Sequence, residues 1–386
     1  AGAGIMAAQY WGKQDAASIE KVIPIALRTN LLFSGLFTIL AGFCPEMLMR
    51  IFTNDAALVA SGSQYLRAVA LSYVLCGISQ VYLILLKNTG HAAVSSRISS
   101  TAVVLNIILN AILIYGLCGA PALGIRGAAY ATVAARVVEL IWAYLETKKP
   151  ERVRILWNRL FSSAGKILSE DFWRYTLPVL AASLVWGIAY VLYSVIMGHM
   201  GSDAVAANSI TSIAKSLLSC LIRGVSGGAG VLIGNLLGAN ELEKAREYGG
   251  RLSHLSIAIG IVTGGLLMLI SPAIVHFAPL SDTAAEYLQY MLLFCGLNLM
   301  AQSVNTTVLD GIFCAGGDAK FDMQGNIGAM WCFSVPLGFL AAFWLKLPVM
   351  VVYCIVNLDE IVKLPAVYHH YKKYIWVRNI TRDIED

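Results

Sequence analysis

Long apolar runs recur along the whole chain, and short polar or glycine-containing turns separate each run from the next. At about 20 residues or more, each run is long enough for an α-helix to cross a hydrocarbon core of roughly 30 Å. The runs lack the alternating pattern of transmembrane β-strands, so they predict an all-α polytopic membrane protein. The ten predicted spans are approximately 18–48, 56–88, 94–116, 121–146, 169–200, 203–237, 244–277, 283–315, 321–345 and 348–376.

The composition excludes a water-soluble fold for a chain of this size. Hydrophobic residues make up 58% of the 386 positions and charged residues only 13%, with a mean hydropathy of +0.69. One soluble core cannot bury that much apolar surface. The six histidines show no metal-ligand spacing, and no convergent catalytic set is visible. We therefore expect a protein that is not an enzyme and that holds no metal and no cofactor.

Basic residues are distributed unevenly between alternate connections. Nineteen lie on one side of the predicted spans, and the four on the other side are Arg50, Arg67, Arg126 and Lys346. Because cytoplasmic loops carry an excess of lysine and arginine, this distribution predicts that the 148–168 connection and the C-terminus are cytoplasmic. Membrane topology then accounts for the net charge of +5, and no nucleic-acid partner is expected.

The chain contains an internal repeat. The segment GIMAAQYWGKQD at 4–15 matches GVLIGNLLGANE at 230–241, with an offset of 226 residues, and weaker matches continue downstream. Repeated halves of equal orientation are a common way to build a transporter. We predict an N-lobe at 1–147, a basic amphipathic linker at 148–168 that lies on the membrane surface, and a C-lobe at 169–386 that ends in a cytoplasmic tail.

The two halves differ in length at their beginnings. The second half has 58 residues, 169–226, ahead of its copy of the repeat, whereas the first half has almost none. That length fits one helix, one loop and part of a second helix. We therefore expect an N-terminally truncated chain with about ten and a half of the twelve helices of a complete protein.

Several blocks, in this order and spacing, resemble the multidrug and toxic compound extrusion (MATE) family of secondary antiporters. The blocks are the Gln-x-x-Gly turn at 9–12, LNIILNAILIYG at 105–116, LGIRGAAYAT at 123–132, HMGSDAVAANSI at 199–210, FCAGGDAKF at 313–321 and LDEIVKLP at 358–365. The resemblance implies two pseudo-symmetric six-helix lobes around a central cleft. It also implies the exchange of organic, often cationic, compounds for protons or sodium ions by alternating access.

Ionisable residues inside the predicted spans are candidates for ion coupling, because a charge in a bilayer is costly and needs a reason. Arg136 and Glu139 stand three residues apart, and Glu360 and Lys363 occupy the matching positions at an offset of 224 with the signs exchanged. Each pair is predicted to form an ion pair that either braces its lobe or acts as a gate or proton relay. Asp359, which has no basic residue three positions away, is predicted to be the titrating carboxylate.

Polar and aromatic residues provide further candidates. Asn106 and Asn110 lie four apart on one helix face, where their carbonyl oxygens either bind a cation or join helices by hydrogen bonds. Relatives often have an Asn-Glu pair shortly before Trp186, but this chain has Ala182-Ser183, which weakens the case for a cation site there. Asp310, near a glycine turn, is interpreted as structural or incidental. The candidates for the substrate cleft are Trp186, Tyr190, Asn298, Gln302 and Asn305.

The leading hypothesis is a monomeric multidrug efflux transporter in the plasma membrane or bacterial inner membrane, coupled to H⁺ or Na⁺. A lipid-linked sugar flippase of the same superfamily is the alternative within transport, and it would favour a more cationic cavity to hold pyrophosphate. The intramembrane cations available for that role are Arg28, Lys215 and Arg223. A membrane-embedded enzyme or receptor is the alternative from another class. Small organic compounds and the lipid bilayer are the expected partners.

Overall fold

A computed structural model of the chain describes residues 2–51, 55–150, 152–155, 157, 160 and 165–382. The described residues are helical almost throughout, and eight helices among them are long and apolar enough to cross a membrane. The prediction of an all-α polytopic membrane protein is therefore confirmed. Of the linker predicted at 148–168, residues 151, 156, 158, 159 and 161–164 fall outside the described residues, as do the last four residues of the predicted tail.

Two of the predicted spans differ from the observed helices. The predicted span 56–88 is two helices, Ala56–Val69 and Leu71–Leu86, and a kink where Gly90 adopts a φ of 80° separates the second from the helix of the next predicted span. The last predicted span, 348–376, is two short helices, Val349–Val356 and Asp359–Tyr371, that meet at a break around Asn357. This break leaves backbone carbonyl groups free to accept hydrogen bonds from side chains, which matters for the site below.

Contacts divide the chain into two compact units. The N-terminal unit is Asp15–Phe172, and the C-terminal unit combines Ala1–Gln14 with Trp173–Asp386. The first helix thus groups with the second part of the chain, although the repeat places it in the first half. The division into homologous lobes at 1–147 and 169–386 stays a prediction about ancestry, which contacts alone do not test.

The N-terminal unit is a bundle in which α5 packs on α2 and α7, and α6 packs on α7. Its helices are α2 (Ala16–Phe43), α3 (Pro45–Arg50), α4 (Ala56–Val69), α5 (Leu71–Leu86), α6 (Ala92–Tyr115) and α7 (Ile125–Thr147). Tyr82, Leu83 and Leu86 of α5 form its core with Ile98 and Ala143. The Trp157 indole donates a hydrogen bond of 2.8 Å to the Tyr82 hydroxyl, so part of the linker rests on this bundle.

The C-terminal unit is built around α11, which packs against α9, α10 and α15. Two of its helices continue as the wider π-helix, α11 through Thr307–Phe313 and α12 through Ile327–Ser334. The helices of this unit are α1 (Gly2–Gly12), α8 (Lys166–Gly198), α9 (Ser202–Gly238), α10 (Leu242–Phe277), α11 (Asp282–Thr306), α12 (Ala319–Asn326), α13 (Val335–Phe339), α14 (Val349–Val356) and α15 (Asp359–Tyr371).

The two copies of the repeat, on α1 and α9, pack directly against each other. A methyl group on Gly12 would collide with the carbonyl oxygen of Asn235, and one on Gly238 would collide with that of Gln9. Gly238 corresponds to Gly12 and Asn235 to Gln9 at the offset of 226, so the two contacts are the same contact made in both directions. Such reciprocity is the signature of a two-fold axis, here an approximate one between two segments of one chain. It supports the repeat by a criterion independent of sequence similarity.

The C-terminal segment after α15 is held against α1 and the glycine turn at 316–317. Trp376 is completely buried, and the Arg378 guanidinium donates hydrogen bonds of 2.7 Å to the carbonyl oxygens of Gly316 and Gly317. Gln9, also completely buried, donates to the Ala315 carbonyl at 2.7 Å and accepts from the backbone N–H of Ile380 at 2.8 Å. One side chain therefore ties α1 to two separate backbone segments.

Replacing Gln9 with leucine is expected to release the C-terminal segment. The change removes two buried hydrogen bonds, each of which contributes about 1 kcal/mol, and leaves their backbone partners unpaired. We expect trypsin to cleave after Lys373 or Arg378 about tenfold faster than in the unchanged protein, because cleavage follows the population of the released form. Gln64→Leu, at an exposed position on α4, is the control. Equal cleavage rates for both variants would contradict the anchoring role.

A charged cavity in the C-terminal unit

A cavity of about 340 Å³ lies within the C-terminal unit, and its wall combines charged and polar side chains with the Trp186 ring. Helices α8, α9, α11, α12 and α15 all contribute side chains to it. The charged residues in its wall are Arg223, Asp310, Asp322, Glu360 and Lys363. Three acids against two bases give the wall a formal charge of −1. A second cavity of about 160 Å³ shares Trp186, Arg223, Gln302 and Glu360 with the first and adds Tyr190, Lys215 and Asp359.

Lys363 is the centre of a buried ion-pair network. Its Nζ lies 3.0 Å from Glu360 Oε1 and 3.6 Å from Asp359 Oδ2, and it donates to Asn326 Oδ1 at 3.2 Å. The Asn326 amide in turn donates to Asp322 Oδ1 at 3.0 Å. The Glu360–Lys363 ion pair forms as predicted. Asp359 has no basic residue three positions away, but Lys363, four positions away, lies on the same face and contacts it. Its role as a titrating carboxylate stays a prediction.

Carboxamide side chains on α11 support this network from the other side. Asn305 donates hydrogen bonds of 2.7 Å to both the backbone oxygen and Oε2 of Glu360. Asn298 donates to the backbone oxygen of Asn357 at 2.6 Å and accepts from Lys215 Nζ at 3.1 Å. The Asn357 carbonyl is free for this contact because the chain is not helical there. Two of the residues predicted for the substrate cleft thus hold the break between α14 and α15.

Gln302 and two aromatic side chains complete the wall. The Gln302 oxygen has no hydrogen-bond partner among the described residues, although it is buried, and the side chain lines both cavities. The Trp186 and Tyr190 rings are stacked, with centroids 5.4 Å apart and planes inclined by 16°. The Arg223 guanidinium lies 5.8 Å from the centroid of the Trp186 ring, a distance at which a cation is attracted to an aromatic face. Gln302, Trp186 and Tyr190 were all predicted for the cleft.

Several polar side chains in the wall were not among the predicted site residues, among them Arg223, Asp310, Asp322 and Asn326. Asp310 projects into the cavity from the π-helical continuation of α11, and it is exposed there. A π-helix inserts an extra residue per turn, so the side chains beyond it do not follow the 3.6-residue period by which faces are assigned from sequence. The only available signal was that an acid occurs within an otherwise apolar run.

Helix α8 carries Ala182-Ser183 at the place where the family resemblance led us to look for an Asn-Glu pair. Ala182 and Ser183 line the cavity, but the Ser183 hydroxyl donates to the Val179 carbonyl of its own helix at 2.9 Å. Helix α8 therefore contributes no charge to this site. The acids of the cavity come instead from α11, α12 and α15.

The remaining candidates belong to the N-terminal unit. Arg136 and Glu139 form the ion pair expected from their spacing, and the Glu139 side chain is fully buried. Asn110 donates to Asn106 Oδ1 at 3.1 Å, and Asn106 donates to Thr132 Oγ1 at 3.4 Å. The Asn110 oxygen has no hydrogen-bond partner among the described residues. The structure thus brings the candidates together as two groups, one in each unit.

A polytopic helical fold with a charged, partly aromatic cavity among its spans has the architecture of a membrane transporter. Charged and polar groups among membrane spans are energetically costly, and in membrane proteins they commonly mark a pathway for a solute or an ion. The sequence model of the MatE family matches residues 1–112 and 178–340. The chain belongs to the MatE family of membrane transporters, as the sequence resemblance predicted.

The curated relatives that the chain resembles are named as transporters or as multidrug resistance proteins. The transporter YisQ of Bacillus subtilis is 20% identical over 98% of this chain and 82% of its own length. The probable multidrug resistance protein YoeA of the same organism is 21% identical over 100% of this chain and 83% of its own length. The probable multidrug resistance protein NorM of Thermotoga maritima is 23% identical over 83% of this chain and 70% of its own length.

Solved structures share the fold. A MOP superfamily transporter from Pyrococcus furiosus, described as having a binding pocket of reverse polarity, is 19% identical with a TM-score of 0.86, over 97% of this chain and 82% of its own. A MATE protein in complex with MaL6 is 20% identical, also with a TM-score of 0.86, over 97% of this chain and 83% of its own. The prediction of an all-helical, two-lobe fold is confirmed.

Proposed function

We propose that this protein is a multidrug efflux transporter that exports organic, often cationic, compounds in exchange for protons or sodium ions. The carrying observation is the pair of cavities in the C-terminal unit: the larger has a wall with a formal charge of −1, and the two share Trp186, whose ring stacks on Tyr190 in the wall of the smaller. Aromatic faces attract cations, and a volume of about 340 Å³ lies in the range of small-molecule pockets. The relatives named as multidrug resistance proteins support the same substrate class.

The excess of acid in the cavity also argues against the flippase alternative. A lipid-linked pyrophosphate would need several uncompensated cations, whereas Lys363 is neutralised by Glu360 and Asp359. We assign the coupling between export and ion flow to two groups of residues. Glu360 and Asp359 form the group in the C-terminal unit, and Glu139, Asn106 and Asn110 form the group in the N-terminal unit. We further propose that the chain works as a monomer in the cell membrane, with its C-terminus in the cytoplasm.

Efflux from living cells tests this function. In an efflux-deficient bacterial host that produces the protein, we expect loaded ethidium to leave the cells several times faster than from cells without it. The difference should collapse on adding a protonophore if protons are the coupling ion, or on removing sodium if sodium is. Export that persists under both treatments would contradict ion coupling.

A matched pair of variants connects the efflux to the proposed site. Glu360→Gln is expected to slow ethidium efflux at least about tenfold, because it removes the negative charge that faces Lys363. Glu286→Gln, at an exposed position on α11, should leave the efflux rate unchanged. Equal rates for both variants would exclude Glu360 from the coupling machinery.

A further inference from the structure

Two charged side chains of the cavity, Asp310 and Arg223, share its wall without forming an ion pair with each other. Lys363 is paired with Glu360 and Asp359, and Asp322 accepts a hydrogen bond from Asn326. Asp310 and Arg223 line the same cavity from α11 and α9, yet no ion pair or hydrogen bond joins either of them to another residue of the described ranges. Both side chains are accessible from the cavity. One free acid and one free base therefore face the same space.

A charge in a poorly hydrated cavity is stabilised most by a ligand group of the opposite sign. A ligand with only a positive charge would satisfy Asp310 and would meet repulsion from Arg223. A ligand with only a negative charge would satisfy Arg223 and would meet repulsion from the three acids of the wall. A ligand that carries both signs leaves neither residue unpaired.

The surroundings of Arg223 allow it to act as a receptor for an anion. Its guanidinium lies over the Trp186 ring, a contact that restrains the side chain without using its hydrogen-bond donors. A planar guanidinium has five N–H donors and binds a carboxylate through two parallel hydrogen bonds. Arg223 is therefore held in place while its donors stay available to the cavity.

We propose that the cavity selects amphiphilic zwitterions, with Asp310 receiving the cationic group and Arg223 receiving the carboxylate or other anionic group. This inference rests on the proposed transport function and narrows its substrate class. The aromatic pair of Trp186 and Tyr190 contacts the apolar body of the ligand. Arg223 is on this view the residue that distinguishes a zwitterion from a simple organic cation.

Two dyes that differ in one group provide the test. Rhodamine B has a xanthylium cation and a free carboxylate, whereas its ethyl ester keeps only the cation. Binding of each dye to the purified protein is measured by fluorescence anisotropy, and the preference is the ratio of the two dissociation constants. Comparing this ratio between variants cancels the greater lipophilicity of the ester.

Arg223→Gln is expected to reduce the preference for rhodamine B about tenfold, by weakening its binding and leaving the ester unchanged or tighter. Asp310→Asn should weaken both dyes. Arg223→Lys keeps the charge but loses the planar fork, so it should retain only part of the preference, a graded result that guards against an effect of altered folding. Arg251→Gln, on an arginine that is 65% exposed and paired with Glu247, is the control and should change nothing.

The outcomes separate the inference from the function on which it rests. If Arg223→Gln weakens both dyes equally or leaves the preference unchanged, the anion-receptor role is wrong even where ethidium efflux remains ion-driven. If the unchanged protein binds neither dye, the inference is also overturned. If ethidium efflux does not depend on either ion gradient, the proposed function itself fails, whichever dye is preferred.

Discussion

Replacing Lys363 with methionine is expected to destabilise the protein by about 3 to 5 kcal/mol. The side chain is only 5% exposed, and its Nζ is shared by Glu360, Asp359 and Asn326. Methionine fills a similar volume but leaves two carboxylates facing each other in a buried site, and removing one partner of a buried ion pair costs about this much. In detergent solution the thermal unfolding midpoint should fall by at least about 5 °C. Ion-driven efflux should be lost with it.

The control and a double variant separate the charge from the general effect of the substitution. Lys320→Met, at an exposed position on α12, should leave the midpoint within about 1 °C, because isolated surface charges contribute little. Combining Lys363→Met with Glu360→Gln removes charges of both signs and should restore part of the lost stability. If the loss of stability in the double variant equals the sum of the losses in the two single variants, Lys363 and Glu360 are not coupled.

The second large effect is expected at the contact between the two repeat segments. Gly238→Ala places a methyl group against the Gln9 carbonyl, closer than any real Cβ contact, so α1 and α9 must move apart. Overpacking of this kind costs about 1 to 3 kcal/mol, and the carbonyl is backbone that no rotamer change can move aside. We expect the thermal midpoint to fall by several degrees. The reciprocal variant Gly12→Ala should have an effect of similar size, because its contact with Asn235 is equivalent.

A glycine of the same helix serves as the matched control. Gly228, also on α9, has no atom within 4 Å of an added methyl group. Alanine there gains helix propensity of about 0.5 to 1 kcal/mol and loses nothing. The two alanine variants should therefore shift stability in opposite directions. If Gly238→Ala is as stable as Gly228→Ala, the close approach of α1 and α9 does not hold the C-terminal unit together.

Local spacing was enough to predict several parts of the site. The Arg136–Glu139 and Glu360–Lys363 pairs form because residues three apart share a helix face, whatever the rest of the protein does. The same rule also covers residues four apart, and this second spacing was not considered for Asp359. Asp359 was singled out because no basic residue lies three positions away, although the spacing of four residues from Lys363 is equally favourable, and Lys363 Nζ lies 3.6 Å from Asp359 Oδ2.

The carboxamides of α11 show the limit of local reasoning more clearly. Asn298, Gln302 and Asn305 were all predicted for the substrate cleft, but their hydrogen-bond partners differ. Asn298 reaches the backbone of Asn357 and Asn305 reaches Glu360, while the Gln302 oxygen stays without a hydrogen-bond partner in the described part of the chain. Those partners are about 55 to 60 positions away, and no local pattern marks the break at Asn357 that exposes its carbonyl.

The sequence by itself determined the properties that depend on local chemistry and on counting. Run length against membrane thickness predicted the helices, and the offset of 226 predicted the repeat, which the reciprocal contact of Gly12 and Gly238 supports. These predictions follow from the thickness of the bilayer, from the geometry of the α-helix and from comparing the chain with itself. They need no knowledge of the tertiary structure.

Only the tertiary structure decided where the charges meet. Asp310 lies within a π-helical segment that continues α11, Asp322 lies in the first turn of a helix that follows a glycine turn, and Arg223 lies on a different helix about 90 positions before Asp310. Their common cavity results from helix packing and from one altered helical winding, both of which are set by contacts between residues distant in sequence. A helical period read from the chain assumes regular geometry, and the acids missed by that reading lie where the geometry changes.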